Sequence, residues 1–349
     1  MKKKPQSGLC QKDVLAGLEQ FAKLRVAVLG ETIVDEYVYC DAMGKSGKEP
    51  VLVSRFISSE SHAGGALAVA NHLSEFCASV ELVSALGALE PREQFVRSAL
   101  RPSVKPHFIA KRASPTIVKR RYLDNYSLAK MMGVYHLNPN PLCPEDEQRF
   151  CAIIDQVLPS CDVVIVADYG HGLMTGNAIA RVIEKSTFLS VNTQMNAANH
   201  GYHTLSKYAH ADYGCLHEGE LRLDARDLEG DVRGILERTA TRIGAKSFTV
   251  TRGKQGTLFY RSKEGFFESP SLAREVVERV GAGDAVLALT SLGAACELAP
   301  EVIGILGNLA GAQQVAVVGN SASVSKDHLV ARVREMLPTW SNLQRAVAL

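Results

Sequence analysis

The chain has 349 residues, of which 46% are hydrophobic and 22% charged, with a formal net charge of +2. Those figures exclude a disordered chain and give no electrostatic ground for a nucleic-acid or anionic-membrane partner. They leave room for one large α/β domain or two ordinary ones. Eight cysteines are present without a CxxC pair, as expected for free thiols in a reducing cytosol. "MKKK" is followed by no apolar run, and no segment has the length of a membrane span, so a soluble, cytoplasmic chain is expected.

In chain order, residues 1–23 read as an N-terminal extension carrying a short amphipathic helix, "PQSGLCQKDVLAGLEQFAKL". A buried strand opens at Leu24 and breaks at Gly30. "EPVLVSRFISSES" alternates like a half-exposed strand. Gly64 and Gly65 precede a helical run, followed by the strand "VELVSALG" and the helix "PREQFVRSAL". "KPHFIAK" and "PTIVKRRYLDN" alternate as strands, and Pro144 with its acidic neighbours opens a helix. "CDVVIVADYGHGL" is a buried strand ending at Asp168. The same rhythm continues through "FLSVNTQ", "ADYGCLHEGELRL" and "AKSFTVTRGKQGTLFY", and the chain ends in helices.

Strands alternating with helices predict a mostly parallel sheet covered on both faces, with ligands at the carboxyl ends of the strands. Two exposed strand regions, about 37–59 and 105–126, interrupt the rhythm and are expected to form a small β lid.

The stretch "VERVGAGDAVLALTS" (277–291) carries the chemistry. Glycines at 281 and 283 permit a tight turn that brings amide N–H groups to a ligand. A helix starting near Asp284 adds unpaired N–H groups and a dipole, an anion site suited to a migrating phosphoryl group. Asp284 could accept a proton from an attacking hydroxyl, or serve as an ordinary helix N-cap.

"GETIVDEY", "AGGALAVAN", "VTRGKQG", "GAGD" and "LGNLAGA" follow one another in this order. The chain resembles the ribokinase-like (PfkB) carbohydrate kinases from about Leu24 to about Leu337. "GKSGKEPVLV", "PTIVKRRYL", "ADYGHG" and "GAGDAVLALT" narrow the likeness to the heptose 7-phosphate kinase domain of bifunctional ADP-heptose synthases. The resemblance implies a three-layer α/β/α sandwich in a single domain over 1–349, ATP and Mg2+ as cofactors, and a homodimer through the lid. It also implies a possible separate nucleotidyltransferase partner.

By resemblance, Asp284 is the general base, and the backbone of Gly281, Ala282 and Gly283 forms the anion hole. Asp35 holds sugar hydroxyls, and Gly64 and Gly65 let the sugar approach. Thr251, Arg252, Gly253 and Gly256 lie along the nucleotide, with Asn308 near the adenine. Lys119 and Arg121, two apart on a strand, share a face and could grip a substrate phosphate or simply be solvated. Lys45 and Lys48 are weaker candidates of that kind. Asp168 and Tyr169 follow a strand at its carboxyl end, where a ligand contact and a helix-cap or turn role are both open.

Four residues depart from the family pattern. Glu31 stands where aspartate is usual, and Ala68 replaces a sugar-binding asparagine, with Asn71, one turn on, the candidate substitute. "HEGE" replaces Asn-x-x-Glu, keeping Glu220 as an indirect metal residue but placing His217 at the asparagine. Glu278 replaces an aspartate ahead of the anion loop. His200, His203, His210 and His217 are spaced too loosely for a zinc site. The expected activity is ATP-dependent phosphorylation of a sugar or sugar phosphate. Alternatives are a non-catalytic binding module of the same fold and a nucleoside or small-alcohol kinase.

Overall fold

A computed structural model describes residues 11–336. The first half of the chain contains α1 (Gln11–Phe21), β1 (Arg25–Gly30), β2 (Thr32–Lys45), β3 (Leu52–Gly65), α2 (Ala66–Leu73), β4 (Ser79–Gly87), α3 (Glu93–Ala99), β5 (Val104–Lys111), β6 (Ile117–Asp124) and β7 (Lys130–His136). It continues with α4 (Pro144–Val157), β8 (Val163–Asp168), α5 (Gly176–Lys185), β9 (Leu189–Thr193), β10 (Tyr213–His217), α6 (Glu218–Ala225), α7 (Val232–Arg242) and β11 (Ser247–Thr251). The last elements are β12 (Thr257–Arg261), β13 (Gly265–Ser269), α8 (Ala282–Ala295), α9 (Pro300–Gln314) and α10 (Lys326–Glu335).

The apolar runs are continuous because both faces of the central sheet are covered. In β1, Val26 and Val28 enter one core cluster while Ala27 and Leu29 enter the other. The first cluster is closed by α1, α2, α8, α9 and α10, the second by α4, α5, α6 and α7. The product is a three-layer α/β/α sandwich. Leu29, fully buried, illustrates the stakes: truncation to alanine there would cost about 2–5 kcal/mol. The expected N-terminal helix is α1, and the part of that prediction before Gln11 lies outside the described residues.

The central sheet has nine strands in the order β13-β12-β11-β10-β9-β8-β1-β4-β5. All pairs from β5 to β11 are parallel, and β12 and β13 add an antiparallel edge. Connections leave β1 toward β4 on one side and β8 on the other, which opens a crevice at their carboxyl ends.

A second sheet of four strands, β3-β2-β6-β7, forms the lid. Its composition corrects the expectation in one respect. Residues 105–111 are not lid: they lie in β5, parallel to β4 at the edge of the central sheet. Their alternating exposure comes from that edge position, and alternation reports half-burial without saying which sheet provides it. The lid also includes β7, whose sequence KMMGVYH is almost wholly exposed and carries no apolar periodicity. Its outer side exposes Leu52, Phe56 and Met132.

Among the described residues, no helix is long and apolar enough to cross a membrane. Cys40, Cys77, Cys143, Cys151, Cys161, Cys215 and Cys296 are free thiols, and Cys10 lies outside the described residues.

Candidate active site

The inner face of the lid is set by register. Asp35 on β2 is flanked by His62 on β3 and Lys119 on β6, and Lys119 is flanked by Tyr135 on β7. One row therefore reads His62–Asp35–Lys119–Tyr135, and the next contains Glu60, Tyr37 and Arg121. Side chains at these positions share a face because strand periodicity is two. Gly64 is needed here: a Cβ would collide with the Asp35 carboxylate. Its effect on a sugar would therefore be indirect, through Asp35. Gly65 is the N-cap of α2.

Arg121 is not free to grip a phosphate. Its Nη1 donates to Asp35 Oδ1 at 2.6 Å, with both side chains largely buried, and its guanidinium lies over the Tyr37 ring. Asp35 and Arg121, expected to hold different parts of the substrate, form one ion pair. Lys119 differs. It is 6% exposed, and its Nζ has no hydrogen-bond or ion-pair partner among the described residues. The ammonium rests between the rings of Tyr135 (5.7 Å) and Tyr169 (5.4 Å). Burial draws its pKa below the usual lysine value, opposed by the charge of Asp35.

The glycine turn expected as an anion hole leads directly into α8, and its open amides differ from those expected. Gly281 is the N-cap of α8, with φ of 83°, a left-handed conformation that strains any other residue. Asp284 is three residues further on, so it is not the N-cap. The N–H groups of Gly281, Gly283 and Asp284 have no acceptor among the described residues, whereas Ala282 donates back to Arg279 at 3.4 Å. Asp284 is half-buried; its Oδ1 accepts the Tyr169 hydroxyl at 2.7 Å, and its Oδ2 has no partner and is not sealed from solvent. Burial pushes its pKa up to about 7; the Tyr169 bond pulls it down, Asp35 pushes it further up and Lys119 pulls it down.

Three of the departures from the family pattern acquire structural explanations. Glu31, buried just past β1, accepts the backbone N–H of Tyr169 (3.0 Å) and of His171 (2.8 Å), and so shapes the loop that delivers Tyr169. His217 caps α6: its Nδ1 accepts the Gly219 N–H at 3.1 Å, in a capping box completed by Glu220 accepting the His217 N–H at 2.8 Å. Glu220 also accepts from the Met195 N–H, and burial pushes its carboxyl up to about 7, with the charge of Asp284 adding to the shift. Glu278, 8% exposed, accepts from Tyr37 and from the Gly319 N–H and pairs with Lys130 on β7. It thereby ties two lid strands to the segment leading into the glycine turn before α8.

Thr251 ends β11, and Gly253 and Gly256 lie in the turn from there to β12. Arg252 in the same turn faces Glu218 (3.5 Å) and Glu268 (3.4 Å), which hold its guanidinium. Asn308 uses its amide nitrogen on Thr257, Gly304 and Ser269 and leaves Oδ1 without a partner.

Two candidates are corrected. Asn71 cannot take over for Ala68, because its amide is occupied at both ends: Nδ2 donates to the Ala99 carbonyl and Oδ1 accepts the Arg101 N–H. Asp168 has no free oxygen facing a ligand: it accepts from Gly170 N–H (2.9 Å), Tyr208 hydroxyl (2.7 Å) and Lys207 (2.5 Å) at 1% exposure. Sequence reasoning missed His62 and Tyr135, and it singled out Tyr169 by its place after β8 without its partner Asp284. The strand register would have found His62, since it faces Asp35, but register is a tertiary fact.

A sequence profile of the pfkB family carbohydrate kinases matches residues 23–327. The bifunctional protein HldE of Koribacter versatilis is 28% identical over 321 residues, covering 90% of this chain and 64% of that protein. The HldE of Azotobacter vinelandii is 26% identical over 321 residues, covering 89% and 64%. The chain thus spans 64% of the length of these curated relatives. Phosphofructokinase-2 from Escherichia coli, solved in complex with potassium, superposes with a TM-score of 0.71 at 15% identity, covering 90% of this chain and 99% of that one. Arabidopsis thaliana ribokinase, complexed with ribose and ATP, gives 0.65 at 15% identity, covering 89% and 98%. An α/β/α sandwich with a β lid, a glycine turn at the start of α8 and a profile match across most of its length together establish that this chain belongs to the pfkB family of carbohydrate kinases.

Proposed function

We propose that this sugar kinase transfers the γ-phosphate of ATP to a hydroxyl of a sugar phosphate, with a heptose 7-phosphate phosphorylated at its anomeric oxygen as the leading substrate. The carrying observation is the arrangement at Asp284. One carboxylate oxygen is held and the other is open, beside unpaired amides and an unpaired buried ammonium. Asp284 Oδ2 takes the proton from the acceptor alcohol as the new O–P bond forms and the bond to the leaving ADP breaks. The amides of Gly281, Gly283 and Asp284, the α8 dipole and Lys119 stabilise the charge on the phosphoryl oxygens. Asp35, fixed by Arg121, takes sugar hydroxyls.

The narrower choice of a heptose phosphate rests on the likeness to the bifunctional proteins and on "PTIVKRRYL", which supplies Lys119 and Arg121. With Arg121 engaged by Asp35, Lys119 is the open cation of that motif, and the migrating phosphoryl group takes it. Thr251, Gly253, Gly256 and the free Oδ1 of Asn308 would line the nucleotide. Among the described residues, no three His, Cys, Asp or Glu side chains cluster to hold a metal. Mg2+ would therefore be carried mainly by phosphate oxygens and water, with Glu220, whose charge reaches Asp284, fitting a water-mediated place. The exposed apolar residues of the lid suit a homodimer through that sheet. A nucleotidyltransferase, on this protein or a partner, would use the product.

The test is an ADP-release screen with ATP, Mg2+ and a panel of free and phosphorylated hexoses and heptoses, with nucleosides included. Turnover highest on heptose 7-phosphates supports the assignment. Preference for an unphosphorylated sugar or a nucleoside removes the phosphate-recognition part.

A further inference from the structure

We propose that Tyr169 is a positioning residue for the proton transfer: its hydroxyl fastens Oδ1 of Asp284 so that Oδ2 alone meets the acceptor alcohol. The proposal rests on Asp284 being the base. It concerns a side chain that touches neither reacting atom and acts through the carboxylate.

Tyr169 is unusually constrained for a loop residue. It is 2% exposed and follows β8 directly. Its N–H donates to Glu31 Oε2 at 3.0 Å, and its carbonyl accepts from Asn196 Nδ2 at 2.8 Å and from Asn199 Nδ2 at 3.0 Å. Its neighbour His171 is held by Glu31 through its N–H and by Lys111 Nζ through its carbonyl at 3.0 Å. With the backbone gripped on both sides, the phenol has a fixed reach, and its hydroxyl arrives 2.7 Å from Asp284 Oδ1. The face of the same ring supports the Lys119 ammonium. One side chain therefore sets the position of both the proposed base and the proposed phosphoryl cation.

The bond has a direction. Burial and neighbouring carboxylates push the Tyr169 phenol well above its ordinary pKa, so it keeps its proton and donates. A donor to a carboxylate favours the ionised form, which is the form a base needs. The other groups acting on Asp284 are Asp35 from β2, Lys119 from β6, Glu220 from α6 and Cys215 from β10. Of these and Tyr169, only Tyr169 makes a hydrogen bond to the Asp284 carboxylate. During transfer the alcohol proton goes to Oδ2 and Tyr169 retains its own.

The experiment is a pH titration of aspartate side-chain carboxyl 13C shifts in the unliganded full chain, with Asp284→Asn identifying the signal, for wild type and Tyr169→Phe. Phenylalanine keeps the ring under Lys119 and removes the donor alone. The Asp284 midpoint is expected to rise by about one pH unit in Tyr169→Phe. The acid limb of kcat/KM, measured on the best sugar phosphate from the screen, should rise with it. An unchanged midpoint in Tyr169→Phe overturns the proposal and leaves the base assignment standing if Asp284→Asn is inactive. Wild-type turnover in Asp284→Asn removes the base, and the proposal with it. Should Tyr169→Phe misfold, 3,5-difluorotyrosine at 169 keeps the shape and strengthens the donor: the midpoint must then fall, and an unmoved midpoint again overturns the proposal.

Discussion

Two aspartates stand where apolar elements meet the crevice, and they differ in how many donors each receives. Asp168, at the end of β8, takes three, from an amide, a tyrosine and a lysine, at 1% exposure. Asp284, in the first turn of α8, takes one, from Tyr169, and keeps an oxygen open. A saturated buried carboxylate is part of the framework, because its lone pairs are satisfied and its charge is compensated. A half-satisfied one at a helix N-terminus retains reactivity, and burial brings its pKa near neutrality. On the proposed function, what separates the framework acid from the base is the donor count, which depends on residues 40 and 115 positions away in sequence.

The strongest challenge to this contrast is Asp284→Asn. Turnover is expected to fall by about 10²–10⁴ with ATP affinity nearly intact, measured by steady-state kinetics and nucleotide titration. Near-normal turnover would erase the distinction. Asp168→Asn should act the other way: loss of about 2–3 kcal/mol of stability in urea denaturation, and kcat within a few-fold of wild type. A catalytic collapse in a stably folded Asp168→Asn would place both acids in the chemistry.

Next in size is Lys119→Met, which keeps the buried volume and removes the charge. We expect kcat/KM to drop about 10²-fold. The smaller effect is Arg121→Ala, which leaves Asp35 buried and unpaired: KM for the sugar should rise about tenfold with KM for ATP unchanged.

The comparison also has a pH consequence. A carboxyl whose folded pKa of about 7 lies above the unfolded value stabilises the fold relatively more at low pH and loses that contribution as pH rises through 7. Activity runs oppositely, since only the ionised base accepts a proton, so kcat/KM should climb with pH up to about 7 and flatten above. Asp284→Asn should therefore melt a few degrees higher than wild type at pH 8, on the order of 1–3 °C, and lose that advantage near pH 4. The smallest expected effect is His217→Asn. Both side chains can cap α6, so the magnesium titration of the rate should move by less than about threefold.

Much of the fold was legible because strand–helix alternation and continuous apolar runs have one common solution, a covered parallel sheet. The "GAGD" turn was legible for a local reason, since glycine backbone and helix start act within a few residues. The assignments that failed were all matters of pairing. Arg121, for which phosphate grip and solvation are both open in the sequence, is bound to Asp35; Asn71, the candidate substitute for Ala68, is bound to the α3–β5 connection. Residues 105–111 were given to the lid because alternation cannot name a neighbour.

The chain's own residue order determined the layered architecture, the glycine turn into α8 at 281–284 and the family, because periodicity and backbone conformation are short-range properties. Only the tertiary structure decided which charges are neutralised and which stay open. Asp35 finds Arg121 across a register of two strands, Asp284 finds Tyr169 from a loop 115 residues earlier, and Lys119 is left with aromatic faces alone. Electrostatic roles depend on distance and burial in space, and neither is written in spacing along the chain.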